Sequence, residues 1–159
     1  MRYGWPVDLL EEPEGVSVTC PDVPELVTCG TTVAKALDAA RDALVIVLSL
    51  YTDDGRPLPA PSAVRRRPVV TVPVLVAAKL ALHQAMIAAG VSNVELGRRL
   101  GADEKAIRRL RDPLHGSKIE AVEAALQVLA RLRGFDPENP SLYRIRFDKY
   151  LEFHVYIGP

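Results

Sequence analysis

Lys105, Arg108, Arg109 and Arg111 lie within seven residues of one another. Carried on one short helix, cationic side chains at this density suit guanine edges and phosphate oxygens. Just upstream, Ser92-Asn93-Val94-Glu95 reads as a capping box that opens a short helix to Leu100, which Gly101 stops. Asp103 can then cap a second helix from Glu104 to about Arg111, ended by Asp112-Pro113. Two short helices around a glycine turn, the second one basic, make the helix-turn-helix unit, whose second helix enters the major groove of DNA. Val94, Leu96, Leu100, Ala106, Ile107 and Leu110 are expected to lock the pair, leaving Lys105, Arg108, Arg109 and Arg111 toward solvent. Ser92, Asn93, His115 and Lys118 fall at flanking helix starts, where backbone N–H groups and polar side chains commonly hold the phosphate backbone. These eight residues form the expected DNA-binding set. The competing reading is a solvated helical hairpin whose arginines only keep the chain in solution.

The charge balance favours the first reading. The 159 residues carry 20 Lys/Arg and 20 Asp/Glu, so the formal net charge is zero. Residues 1–62, however, hold 4 basic against 10 acidic side chains, residues 63–132 hold 12 against 6, and the last 27 hold 4 against 4. An acidic half and a basic half point to a polyanion for one segment and a different partner for the other. The composition, 48% hydrophobic and 25% charged, excludes a disordered, collagenous or disulfide-stapled chain. The N-terminus carries one Arg and scattered carboxylates instead of a basic start and an apolar run, so a secreted protein is not expected. The apolar stretches Ala43 to Tyr51 and Val69 to Leu82 fall short of the roughly 18–20 residues that cross a bilayer. A cytoplasmic protein without membrane contact is the expectation.

Other chemistries have weaker support. Asp8, Asp22 and Asp38 are available for a two-metal nuclease of the RNase H type. The short first domain lacks the strands that would place the full set, so surface carboxylates are preferred and no enzymatic activity is expected. Cys20 and Cys29 lack Cys-x-x-Cys spacing, and His83, His115 and His154 lie far from them and from each other in sequence. Reduced packing cysteines, with no metal or cofactor, are the expectation. His83, beside Leu82 and Ala85, reads as an ordinary helix residue. Arg65-Arg66-Arg67 could touch phosphates or simply be solvated, and the residues leave both open.

The elements that must position these groups are well punctuated. Arg2 to Leu9 reads as a strand, Glu12-Pro13-Glu14-Gly15 as a turn, Val16 to Cys20 as the partner strand, and Leu26 to Cys29 as a third. Thr32 can cap a helix whose stripe Val33, Ala36, Leu37, Ala40, Leu44, Val47, Leu48 and Tyr51 must lie on the sheet. Asp53 to Pro68 has linker composition, and Val69 to Val72 reads as a fourth strand. After Pro73 the period becomes helical, with helices from Val74 to Ala89, from Ser92, from Asp103, and from a second capping box at Ser117-Lys118-Ile119-Glu120. Ile119, Val122, Leu126 and Leu129 on the last helix are expected to serve as core and, in part, as a two-fold dimer seam. After Arg133 there is no Ala, and 6 of the 9 aromatics occur. There Tyr143 to Phe147 and Leu151 to Ile157 alternate as a hairpin. The fold class is therefore α+β: a β-β-β-α-β domain over residues 1–73, an all-α helix-turn-helix domain over 74–133, and a β-hairpin-like tail over 134–159.

Residues 1 to 133 resemble the HicB antitoxins of bacterial toxin–antitoxin pairs, in the subgroup with a lambda-repressor/Cro-like helix-turn-helix domain. The resemblance is carried first by Tyr3-x-x-Pro6-Val7, Gly15-Val16-Ser17-Val18-x-x-Pro21-Asp22-Val23-Pro24, Thr28-x-Gly30-x-Thr32 and Ala36-Leu37-Asp38-Ala39-Ala40. More specific are Ala77-Ala78-Lys79-Leu80-Ala81-Leu82, Asn93-Val94-Glu95-Leu96, Arg98-Arg99-Leu100-Gly101 and Ile107-Arg108-Arg109-Leu110-Arg111-Asp112-Pro113. It implies a partial RNase H-like first domain that blocks a small mRNA-cleaving toxin of the HicA type through Pro21, Asp22, Val23, Pro24 and Glu25. It further implies a second domain that represses the operon as a homodimer or larger homo-oligomer on double-stranded operator DNA. Glu25-Leu26 and Thr31 depart from the usual pattern, in which Gly-Cys and an acidic residue stand there. A stand-alone transcriptional regulator, whose first domain senses a ligand or dimerises, is the alternative.

Overall fold

The computed structural model describes residues 3–132 and two strands at 143–147 and 153–157. The order is β1 (Gly4–Pro6), β2 (Asp8–Glu12), β3 (Gly15–Thr19), β4 (Val27–Gly30), α1 (Val33–Asp53), β5 (Val69–Thr71), α2 (Val74–Ala89), α3 (Asn93–Leu100), α4 (Glu104–Arg111), α5 (Ile119–Leu132), β6 (Tyr143–Phe147) and β7 (Phe153–Ile157). A small sheet region followed by helices makes this a mixed α+β structure.

The expected hairpin forms between β2 and β3, from Asp8↔Thr19 to Glu12↔Gly15, around a two-residue turn at Pro13-Glu14, and β4 joins the far side of β3. The expected first strand is broken in two. Pro6 has no N–H, and the Val7 N–H donates to the Pro68 carbonyl at 2.9 Å, so the chain changes partner at this point. β1 therefore pairs antiparallel with β5, and the fourth strand closes a separate ribbon instead of widening the β2-β3-β4 sheet.

α1 covers one face of the sheet. Thr32 caps it, its hydroxyl accepting from the Lys35 N–H at 3.3 Å, and Ala36, Ala40, Leu44, Val47 and Leu48 are buried as the stripe requires. Val33 and Tyr51, at the ends of that stripe, are not buried. Gly30 lets the helix descend onto β4, since a Cβ there would lie 2.4 Å from the Ala36 nitrogen.

The expected linker after α1 is a packed loop. Leu58 is buried, Trp5 Nε1 donates to the Pro59 carbonyl at 3.1 Å, and the Ser62 N–H donates to Asp22 at 2.9 Å. Arg67 turns inward, donating to the Ser62 hydroxyl and the Ala63 carbonyl, while Arg65 and Arg66 remain exposed. Proline-rich composition reports that the segment cannot be helical, and says nothing of whether it packs. Cys20 is buried with its thiol 3.6 Å from the Pro6 carbonyl, and burial pushes its pKa up; Cys29 is exposed on β4.

α2 is apolar on nearly every side and is accordingly buried, packing against α1, α4 and α5. It ends at Gly90, in the left-handed region at φ 63°. Val122, Leu126 and Leu129 of α5 are each 3% exposed or less within the single chain. The core use expected of this stripe is met within the single chain, and of the four named residues only Ile119 is exposed. α5 begins at Ile119, and the Ser117 hydroxyl accepts from Lys79 at 2.9 Å.

The tail strands pair antiparallel with Tyr143↔Ile157, Ile145↔Val155 and Phe147↔Phe153 in register, matching the alternation of apolar residues. Leu151 and Glu152, at the start of the expected second strand, lie outside the described residues. Among those described, no single helix is long and apolar enough to cross a membrane.

Candidate functional site

The basic helix pair forms with the expected punctuation. Ser92 caps α3, accepting from the Glu95 N–H at 3.2 Å, and Asp103 caps α4, accepting from the Ala106 N–H at 2.6 Å. Gly101 turns the chain at φ 64°, and the Ala102 N–H returns to the Gly97 carbonyl at 2.9 Å. Leu96 and Ile107 are the buried centre of the pair, with Leu100 and Leu110 partly buried beside them. Val94 and Ala106, expected at this interface, are exposed. Gly97 is the residue that sets the approach of the two helices, because a Cβ on it would lie 2.6 Å from the Ala102 carbonyl oxygen and 3.4 Å from Ile107 Cγ1. A glycine inside an eight-residue helix costs about 1 kcal/mol in propensity, and that cost is its sequence signature.

A second positioning group comes from α2. Lys79 is fully buried, and its ammonium donates to the carbonyls of Arg109 (3.2 Å), Asp112 (2.8 Å) and His115 and to the Ser117 hydroxyl (2.9 Å). Three N–H bonds are thus shared among four oxygens, two at the C-terminal end of α4 and two in the loop that leads to α5. The cation also meets the negative end of the α4 dipole. Burial pushes its pKa down, and Asp112 partly offsets this. Lys79 fixes the end of α4 and the loop carrying His115 and Lys118 in one stroke. The one charged residue in a largely apolar helix was the signal in the sequence, visible but unassigned there.

Of the eight expected residues, Ser92, Lys105, Arg108, Arg109, His115 and Lys118 are exposed, and Asn93 is half-buried at the start of α3. Arg108 pairs with Glu104 at 2.9 Å, and on α3 Arg98 pairs with Glu95 at 2.8 Å, with Arg99 on the same carboxylate. Exposed pairs of this kind contribute little and are readily exchanged. Lys105 and Arg109 have no ion pair among the described residues. An open groove of about 610 Å³ runs beside α4, lined by Lys105, Arg108 and Arg109 together with Asp53, Asp103, Glu104 and Asp112. Three basic and four acidic side chains share this lining, so the groove is mixed in charge.

Arg111 corrects the expectation of four solvent-facing cations. It turns back and donates to the Thr52 carbonyl at 2.9 Å, at the end of α1. Beside it, fully buried His83 of α2 donates from Nε2 to the Arg56 carbonyl at 2.7 Å, while Nδ1 is buried without a partner. Together they tie the helices to the sheet region. Burial, with the nearby Arg111 charge, pushes the His83 pKa below its ordinary value despite the Arg56 carbonyl. Below about pH 6.5 the unfolded chain binds a proton at this histidine that the folded chain resists. Stability is therefore expected to fall as pH drops from 7 toward 5, by at most about 1.4 kcal/mol per pH unit from this group. His83→Gln, which keeps a donor for Arg56, should flatten that part of the pH dependence in urea titrations. An unchanged slope would remove His83 as its source.

The loop at residues 21–25 is already occupied internally. Val23 is buried, Asp22 accepts from the Ser62 N–H, and Glu25 accepts from the Tyr51 hydroxyl at 3.0 Å. Pro21, Pro24 and Glu25 remain exposed. Asp8, Asp22 and Asp38 each have a different neighbour: Arg67 at 3.8 Å, the Ser62 N–H, and Arg41 at 3.3 Å. No cluster of three or more potential metal ligands occurs among the described residues.

The profile of the family described as HicB-like antitoxin of bacterial toxin-antitoxin system matches residues 2–81. Antitoxin HicB of Pseudomonas fluorescens (strain Pf0-1) is 42% identical over 133 residues, covering 82% of this chain and 91% of that protein. Antitoxin HicB of Escherichia coli (strain K12) is 38% identical over 133 residues, covering 82% and 95%. Antitoxin HicB 2 of Photorhabdus laumondii is 38% identical over 131 residues, covering 82% and 92%.

Proposed function

The chain belongs to the HicB-like antitoxin family, and from that membership we propose that it binds and neutralises a small mRNA-cleaving toxin and represses its own operon by binding operator DNA. In this reading residues 1–73 are a partial RNase H-like domain that meets the toxin, and residues 74–133 are a helix-turn-helix domain with α4 as the recognition helix. One observation carries the DNA-binding part. α4 presents Lys105, Arg108 and Arg109 outward from a framework held by Gly97 within the pair and by Lys79 from beneath. Exposed cations on a rigid short helix suit the major groove, where arginine reads guanine with two parallel hydrogen bonds. A homodimer would set two α4 helices about 34 Å apart on a palindromic operator. The toxin-binding part rests on the acidic first half, since a protein that holds RNA must be basic and is steered toward an acidic surface.

The test is co-expression with the small reading frame adjacent to this gene, purification through a tag on the neighbour, and measurement of RNA cleavage with and without this chain. A stable complex that abolishes cleavage is expected, and no association would leave a transcriptional regulator with some other partner. On the DNA side, Arg109→Ala should weaken operator binding by about 1–3 kcal/mol, roughly 5- to 150-fold, with a much smaller loss on random DNA. Equal loss on both would reduce Arg109 to a phosphate contact.

A further inference from the structure

Among the described residues, the β2-β3-β4 sheet is covered on one face only. α1 buries Val16 and Val18, and the outward face carries the cross-strand rows Leu10-Ser17-Cys29 and Asp8-Thr19-Val27. Outward positions of a one-sided antiparallel sheet are ordinarily polar. Here Leu10 is 62% and Val27 67% exposed, one on each edge strand and diagonally about 12 Å apart across β3. Asp8 and Glu12 stand on the same face, Glu12 accepting a hydrogen bond from the Ser17 hydroxyl at 3.1 Å. Arg67 lies 3.8 Å from Asp8.

We propose that this bare sheet face, with Leu10 and Val27 as apolar anchors and Asp8 and Glu12 as an acidic rim, is the docking surface for a basic protein partner, the toxin of the proposed function. The inference rests on that reading and moves the contact away from the loop at 21–25, whose acidic groups are engaged by Ser62 and Tyr51. Charge complementarity selects the occupant, because residues 1–62 hold 10 acidic against 4 basic side chains. The outer side of α1 exposes Ile46 and Leu50 as well, but that helix carries Lys35 and Arg41 among its acidic side chains, whereas no basic residue stands at the outward positions of the three strands. An apolar patch with two carboxylates along one edge fits the rim-and-anchor pattern of a protein interface.

The native chain carries its own reporter, since Cys29 is exposed on this face and Cys20 is buried. In the purified complex with the co-expressed neighbour, alkylation of Cys29 by iodoacetamide should slow at least tenfold relative to the free chain. Leu10→Arg and Val27→Arg should each raise the Kd at least tenfold, with melting temperature and operator binding unchanged. Ile46→Arg and Glu25→Gln should change it less than threefold. Unaltered Cys29 reactivity in the complex, or loss of binding in Ile46→Arg but not in the sheet variants, overturns the proposal. Absence of any complex with the unsubstituted chain overturns the toxin-binding reading itself, and this surface with it.

Discussion

Lys79→Met is expected to lower the stability of the chain by about 3 kcal/mol, or roughly 6–12 °C in Tm for a protein of this size. Methionine matches the length of the lysine stem, so the substitution leaves little cavity. What it removes is the donor for the carbonyls of Arg109, Asp112 and His115 and for the Ser117 hydroxyl. Replacing both sides of a buried polar contact by apolar groups can be neutral, but here the four oxygens stay. They must find water, and the last turn of α4 and the loop after it must open to admit it. Amide hydrogen exchange should therefore accelerate in α4 and in residues 112–118 more than in α1. In the functional reading, operator affinity should fall beyond what the stability loss explains, because Arg109 and Lys118 lose their fixed geometry. A melting temperature within about 2 °C of the parent would show that the ammonium is dispensable.

Gly97→Val is expected to have an effect of similar size, about 3 kcal/mol, through a different mechanism. The new Cβ would stand 2.6 Å from the Ala102 carbonyl oxygen, a backbone atom that a rotamer change cannot move aside. α3 must then tilt from the turn and uncover Leu96 and Ile107, which are almost fully buried. Gly97→Ala meets the same contact and should lose about 1–3 kcal/mol, although alanine is the better helix former. Gly116→Ala is the control: nothing lies within 4 Å of its added carbon, and its stability should stay within about 0.5 kcal/mol. Urea titration of the three variants separates close packing from a general intolerance of glycine replacement. Equal stability of Gly97→Ala and the parent chain would contradict the contact.

The boundaries of α1, α3 and α4 and the end of α2 were legible because they carry their own local chemistry. Ser92, Asp103 and Thr32 cap with side-chain oxygens, and Gly90 and Gly101 take the left-handed turn, so the starts and stops follow from a few adjacent residues. The hairpin of β2 and β3 and the buried stripe of α1 follow in the same way from periods of two and 3.6. Partner choice was not legible. The break at Val7 depends on Pro68, sixty-one residues away, and no local pattern announces that β1 will leave β2 for β5. The α5 stripe shows the limit from the other side, since apolar spacing states that a face must be covered without stating by what, and α2 of the same chain covers it.

The sequence by itself determined the α+β class, the acidic and basic halves, the short basic helix pair and the cations it displays, for these depend on composition, periodicity and caps. Only the tertiary structure decided which cations remain free and which groups hold them. Arg111 is drawn to the Thr52 carbonyl, Lys79 is buried beneath α4, and the loop at 21–25 is tied down while the sheet beside it is left bare. The physical reason is that a buried charge or carbonyl must find its partner wherever the fold brings one, and those partners lie 30 to 60 residues away along the chain.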